Sequence, residues 1–179
     1  MRRTTAFIFL ALGLSCLLIT TYLIWQRYTP TRLSFNLNVT ATGVVNSHNQ
    51  PQELIIPDLN LHLAILPAKI NRGKWEATDK GISHLISSPI PGDVGNSILY
   101  GHNWPRILGN LPKVRPGQKL FIILSNGEVR AFQIEFTAIV TPDQTHILDQ
   151  TKDARLTLYT CTGFLDSQRF VVTAIPSKI

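Results

Sequence analysis

Leu120-Phe121-Ile122-Ile123-Leu124, then Ser125-Asn126-Gly127-Glu128, then Val129-Arg130-Ala131-Phe132-Gln133-Ile134-Glu135-Phe136-Thr137-Ala138-Ile139-Val140: two apolar runs around an Asn-Gly pair predict a β-hairpin, because Asn and Gly accept the positive φ that a tight hairpin turn demands. In the second arm Phe132, Ile134, Phe136 and Ala138 alternate with Gln133, Glu135 and Thr137, which predicts one buried face. Working outward, the same texture recurs. Leu54-Ile55-Ile56-Pro57 and Leu61-His62-Leu63-Ala64-Ile65-Leu66 read as two strands joined at Pro57-Asp58. Ser97-Ile98-Leu99-Tyr100 reads as a strand delivering Gly101-His102 at its end, Leu156 to Cys161 as another, and Gln168 to Ile175 as the last. Gly81 to Ile86 is expected to form a helical turn. About seven strands, with one or two short helices, predict an all-β domain over residues 51–179: a closed or nearly closed, antiparallel-rich barrel.

Upstream, Ala6 to Trp25 (AFIFLALGLSCLLITTYLIW) runs for 20 residues without a charge, about 30 Å as a helix, enough to cross a bilayer. Arg2 and Arg3 precede it, while Tyr22 and Trp25 sit at its far end as interfacial anchors. No small-x-small cleavage site follows, so the expectation is an uncleaved signal anchor at 6–25. Residues 1–5 would be cytoplasmic, the distal domain extracytoplasmic, and the polar, Thr- and Asn-rich stretch 26–50 a tether.

Charge follows this division. The chain carries +6 overall, but residues 51–179 hold 13 Lys/Arg against 11 Asp/Glu, whereas residues 1–50 hold Arg2, Arg3, Arg27 and Arg32 and no acid. The excess flanks the apolar segment, where anionic headgroups attract it. The nearly balanced remainder argues against a nucleic-acid partner.

Cys16 lies in the apolar segment and Cys161 far along the chain, so the two form no plausible disulfide. A lone buried thiol is more often inert core than nucleophile. Nucleophilic chemistry requires a proton-transfer partner and donors for the oxyanion. His102, at one strand end, and Arg169, beginning the strand after Cys161, are the candidates; Arg stays charged at any working pH.

Three segments carry a family resemblance. Thr157-Leu158-Tyr159-Thr160-Cys161 matches the TLxTC signature of the sortases, membrane-anchored cysteine transpeptidases of bacterial envelopes. Gly95-Asn96-Ser97-Ile98-Leu99-Tyr100-Gly101-His102 is similar to that family's strand leading to glycine-histidine. Arg169-Phe170-Val171-Val172-Thr173-Ala174 resembles its arginine-led final strand. The likeness spans roughly residues 53–176 and implies an eight-stranded barrel, one strand more than the count above. It implies Cys161 as nucleophile, His102 as general acid/base and Arg169 as oxyanion and substrate-positioning group. Trp104, two residues after His102, and Thr160, beside Cys161, are further candidates for substrate contact. The stretch after the histidine departs from the pattern: Gly117-Gln118 stands where a glycine-aspartate is usual. No hydrophobic segment follows the barrel and no lid is evident upstream, features that often mark pilus-building members, which tilts the expectation towards anchoring of single proteins.

The resemblance implies cleavage of an LPxTG-like sorting motif between Thr and Gly through a thioacyl-enzyme and transfer to an amine of cell-wall precursor. The alternatives are a thiol hydrolase of the same fold and a non-enzymatic, membrane-tethered β-domain that binds peptide or wall polymer. No metal or organic cofactor is chemically required. Asp143, Asp149 and Asp153 share a loop, but their spacing matches no calcium-loop pattern, so a solvated loop is expected. His62, His84 and His146 are expected to be structural or solvated, and Trp75 to pack. The substrate-reading loops are expected around Ser83 to Gly95 and Thr141 to Asp153.

Overall fold

The computed structural model describes residues 2–27, 33–36, 49–71 and 73–178. Among the described residues a single α-helix, α1 (Arg2–Arg27), carries the apolar segment, and within it Thr5–Trp25 is long and apolar enough to cross a membrane. Ten strands follow among the described residues: β1 (Pro51–Ile56), β2 (Leu61–Ala68), β3 (Ile70–Asn71), β4 (Lys74–Trp75), β5 (Ile82–Leu85), β6 (Gly95–Gly101), β7 (Lys119–Leu124), β8 (Val129–Val140), β9 (Ala154–Thr162) and β10 (Gln168–Pro176). Eight of them close a barrel in the order β1-β2-β5-β6-β9-β10-β8-β7, with β7 returning to β1; β3 and β4 form a separate two-stranded ribbon. The closed eight-stranded barrel is the one the family resemblance implied.

The predicted β7–β8 hairpin forms, with Gly127 at φ 83° in its turn. The predicted alternation on β8 holds for Phe132 and Ile134, which are buried, and then fails: Phe136 is 41% exposed. A register shift opposite Thr173 and Ala174 on β10 inserts an extra residue and reverses which side chains face inward.

Residues 82–85 correct a second expectation. They form β5, parallel to β2 and antiparallel to β6, rather than a helical turn. Every residue of this strand is buried. A four-residue window cannot separate the strand from the helix period, and barrel neighbours on both sides supply its backbone partners. The short helices of residues 49–178 are all 3-10 turns, at Pro57–Leu59, Leu111–Lys113, Thr145–Leu148 and Phe164–Asp166.

Two apolar clusters sit on opposite sides of the sheet. The interior one contains Leu54, Ile56, Leu99, Ile122, Phe132, Leu156, Leu158 and Val172, with Ile107, Leu108 and Leu111 from the connection after β6. Each such side chain taken out of water contributes about 1.5–3 kcal/mol. The second cluster lies outside the barrel and includes Trp75, Tyr100, Tyr159, Cys161, Val171, Leu148 and, from the N-terminal side, Leu33 and Phe35. The period-2 alternation of β9 divides Leu156 and Leu158 (inward) from Thr157, Tyr159 and Cys161 (outward).

Candidate active site

β6 and β9 run parallel with Tyr100 beside Tyr159 and Gly101 beside Thr160, so His102, one residue past the last pair, comes level with Cys161. β10 runs antiparallel to β9 with Arg169 directly opposite Cys161. His102, Cys161 and Arg169 therefore form one row across three adjacent strands spaced about 4.8 Å apart. The row is enclosed: the three residues are 7%, 4% and 3% exposed.

One step below this row Tyr100 and Tyr159 stack at 5.5 Å between centroids, and Trp75 meets both edge-on at 5.2 and 6.0 Å. Buried phenols need hydrogen-bond acceptors. The Tyr159 hydroxyl donates to the Leu33 carbonyl at 3.0 Å and the Tyr100 hydroxyl to the Glu76 carbonyl. Burial pushes both phenols well above their ordinary pKa. The face beside the thiol is thus aromatic and uncharged at any physiological pH.

His102 leaves the sheet over Gly101, where a Cβ would come within 3.0 Å of Ile82 and 3.2 Å of Ile107 and Leu108; only glycine lets the chain end this close to the core. Its ring lies flat on Trp104, 4.3 Å between centroids with planes 6° apart, and Arg106 stands 5.3 Å over the same indole. Desolvation lowers the imidazole pKa, while the Asp166 and Asp79 carboxylates oppose that by favouring the cation.

The Arg169 guanidinium donates through Nη1 to the carbonyls of Asp166 and Gln168, both at 2.9 Å, and through Nη2 to that of Ser34 at 2.9 Å. Its Cζ lies 5.8 Å from the Phe35 ring. Its Nε–H is buried and has no hydrogen-bond partner among the described residues.

Residues 33–36 correct the expectation of a featureless tether with no covering segment. They lie as a strap across the outer face, with Leu33 and Phe35 almost wholly buried. Phe35 meets Tyr159 edge-on at 5.0 Å and Trp75 at 6.2 Å, and the Asn36 N–H donates to the Pro142 carbonyl at 2.9 Å. The remainder of the predicted tether, except Gln26, Arg27, Asn49 and Gln50, lies outside the described residues. No sequence period marks the strap; only the tertiary fold brings Tyr159 and Arg169 to its carbonyls.

Thr160 requires a further correction. Alternation turns it to the barrel's inner side, where its hydroxyl donates to the Gly101 carbonyl at 2.8 Å. It braces β9 against β6 instead of facing outward with Cys161. Trp104 stacks on His102 and packs against the interior cluster, and Trp75 packs as expected.

Asn96 is the residue that sequence reasoning quoted but gave no task. Its carboxamide donates to the carbonyls of Ile147 and Asp149 at 3.1 and 3.2 Å and accepts from the Thr157 hydroxyl at 2.8 Å. It pins the 141–153 loop, whose Leu148 enters the outer cluster, to the strand that carries Cys161. The Asn-to-strand register that does this spans more than fifty residues and leaves no local signal. Among the described residues no three His, Cys, Asp or Glu side chains converge as a metal-binding group, Asp143, Asp149 and Asp153 included. His62 pairs with Glu53 at the surface, and His84 is buried with Nε2 3.1 Å from the Pro89 carbonyl.

The family profile described as a sortase domain matches residues 54–177. Among solved structures, a complex of Streptococcus agalactiae sortase C1 with MTSET is 26% identical with a TM-score of 0.61, covering 72% of this chain and 67% of that one. Clostridium perfringens sortase D5 is 20% identical with a TM-score of 0.61, covering 72% and 79%. Listeria monocytogenes sortase A is 24% identical with a TM-score of 0.58, covering 71% and 86%. No curated protein sequence matches the chain. Sortases of three lettered classes fit about equally well, so the likeness establishes fold and family without selecting a class. With the sortase domain spanning most of the chain and the barrel matching solved sortases, this chain belongs to the sortase family of transpeptidases.

Proposed function

We propose that this sortase is a cysteine transpeptidase that cleaves an LPxTG-like sorting motif between Thr and Gly. Cys161 Sγ attacks the threonine carbonyl, the S–C bond forms, and the C–N bond to glycine breaks as His102 passes a proton to the departing amine. An amine of cell-wall precursor then attacks the thioacyl carbon, its proton returns to His102, and the thiolate leaves. Arg169 holds the oxygen that gains charge at each attack. Both half-reactions balance with these groups alone and call for no metal or organic cofactor.

The observation that carries this reading is the single row of His102, Cys161 and Arg169 across β6, β9 and β10. The unpartnered Nε–H of Arg169 supports it, since a buried donor without an acceptor is what a developing oxyanion would satisfy. The aromatic face of Tyr100, Tyr159 and Trp75 offers an apolar bed for an extended peptide, and the strap must leave it before substrate binds. With a covering segment present, the sequence argument for single-protein anchoring over pilus assembly loses one of its two supports. α1 anchors the enzyme with the N-terminus cytoplasmic and the barrel extracytoplasmic.

The test is incubation of the full chain, in detergent micelles, with a Leu-Pro-x-Thr-Gly peptide and excess amine, read by mass spectrometry. A ligated product that vanishes in Cys161→Ala is expected. Hydrolysed peptide without ligated product overturns transpeptidation in favour of hydrolysis.

A further inference from the structure

The sheet fixes Cys161 and Arg169, but it does not fix His102, which lies beyond the last β6–β9 pair. One residue reaches both flanks of the row. The Asp166 carboxylate accepts a hydrogen bond from the Asn103 carboxamide at 2.9 Å, holding the segment that begins at His102. The Asp166 backbone carbonyl accepts from Arg169 Nη1 at 2.9 Å, holding the guanidinium on the other side. To do both, the chain bends through consecutive left-handed residues, Leu165 at φ 51° and Asp166 at φ 59°. L-residues adopt this conformation reluctantly, and such bends persist where surrounding contacts over-determine them.

We propose that Asp166 is a positioning residue: with Asn103 as its partner it clamps the β9–β10 turn to the segment after β6, setting the distance across Cys161 between His102 and Arg169. The proposal rests on the reading of that row as the reacting site. It also gives His102 a nearby negative charge that favours the imidazolium needed to protonate a departing amine. The other charged or titratable groups around His102 are Asp79, Arg106 above the Trp104 indole, and, in the row itself, Cys161 and Arg169. Desolvation lowers the His102 pKa, and Asp166 is the first of the two carboxylates that oppose it.

The variants separate charge from geometry. Asp166→Asn keeps an acceptor for Asn103 and a side chain tolerant of the left-handed backbone while removing the charge. Asp166→Ala removes both, and Asn103→Ala removes the bond and keeps the charge. In the full chain in micelles, the histidine ring carbons are labelled and the His102 signal is assigned by its loss in His102→Gln. The His102 titration midpoint should move down by about half a pH unit or more in Asp166→Asn and Asp166→Ala. In peptide transfer, Asp166→Ala and Asn103→Ala should each lose about tenfold in kcat with KM within about twofold, and the double variant should lose no more than the worse single one. An unmoved His102 midpoint in both Asp166 variants, with thermal unfolding unchanged, overturns the proposal. So do additive losses in the double variant. The titration needs no turnover, so it still reads the Asp166 charge at His102 if the wild-type chain forms no ligated product and the transpeptidase reading fails.

Discussion

Arg169 brings a permanent charge to a place where 3% of its surface meets solvent, and three backbone carbonyls hold its two terminal nitrogens. A lysine ammonium offers one compact point of charge in place of that planar fork and has no Nε–H to present sideways. Arg169→Lys is expected to cut kcat/KM by about 100-fold or more, the cost of losing one oxyanion donor, as measured by peptide transfer. His84 supplies a different kind of prediction. Burial pulls its pKa down to about 4, against the weaker opposing effect of the Pro89 carbonyl. Its folded-state pKa lies below the unfolded value, so the stability it contributes is complete above pH 6.5 and is lost as pH falls towards 4, by up to roughly 3 kcal/mol. Urea midpoints from pH 7 to pH 4 should show this slope, and His84→Gln should flatten it. At this scale the sequence revealed types and order: a thiol ending one strand, a histidine ending another, an arginine beginning a third. It misjudged Thr160, because which face a strand residue takes is fixed by parity within the barrel and not by adjacency to Cys161.

The three central strands act as a unit because two register relations, parallel β6–β9 and antiparallel β9–β10, converge on Cys161. The strap then lies over that unit. Leu33 and Phe35 are buried in the same outer cluster as Cys161, so truncating them should open the approach to the thiol. Leu33→Ala with Phe35→Ala is expected to raise the iodoacetamide alkylation rate of Cys161 at least tenfold, an effect of exposure of the thiolate, with circular dichroism unchanged. An unchanged rate would show that the strap does not control access. The strap was illegible because a four-residue segment within a polar stretch has no period to read. The β8 bulge was illegible for a related reason: an alternating pattern continues through Phe136 in the sequence, but pairing with β10 shifts beneath it.

On the scale of the whole molecule, barrel closure places Leu158 at the centre of the interior, with no exposed surface. Leu158→Ala is expected to destabilise the fold by about 2–5 kcal/mol, the transfer and cavity cost of a core leucine, read as a lowered thermal midpoint. Five residues separate the end of α1 at Arg27 from Leu33, a gap of six steps that an extended chain crosses in at most about 22 Å. While the strap is docked, the row of His102, Cys161 and Arg169 is therefore held near the end of that helix. The sequence by itself determined the apolar helix, the β-rich domain and the hairpin around Asn126-Gly127, and it singled out Cys161, His102 and Arg169 as candidates. These are local matters of hydrophobic run length, alternation, turn chemistry and short motifs. Only the tertiary structure decided that the three residues share one row, that Thr160 turns inward, that Asn96 and Asp166 tie distant loops to it, and that residues 33–36 lie across it. Each of those depends on strand register and barrel closure between segments about forty to one hundred and thirty residues apart, which long-range packing sets and no local pattern encodes.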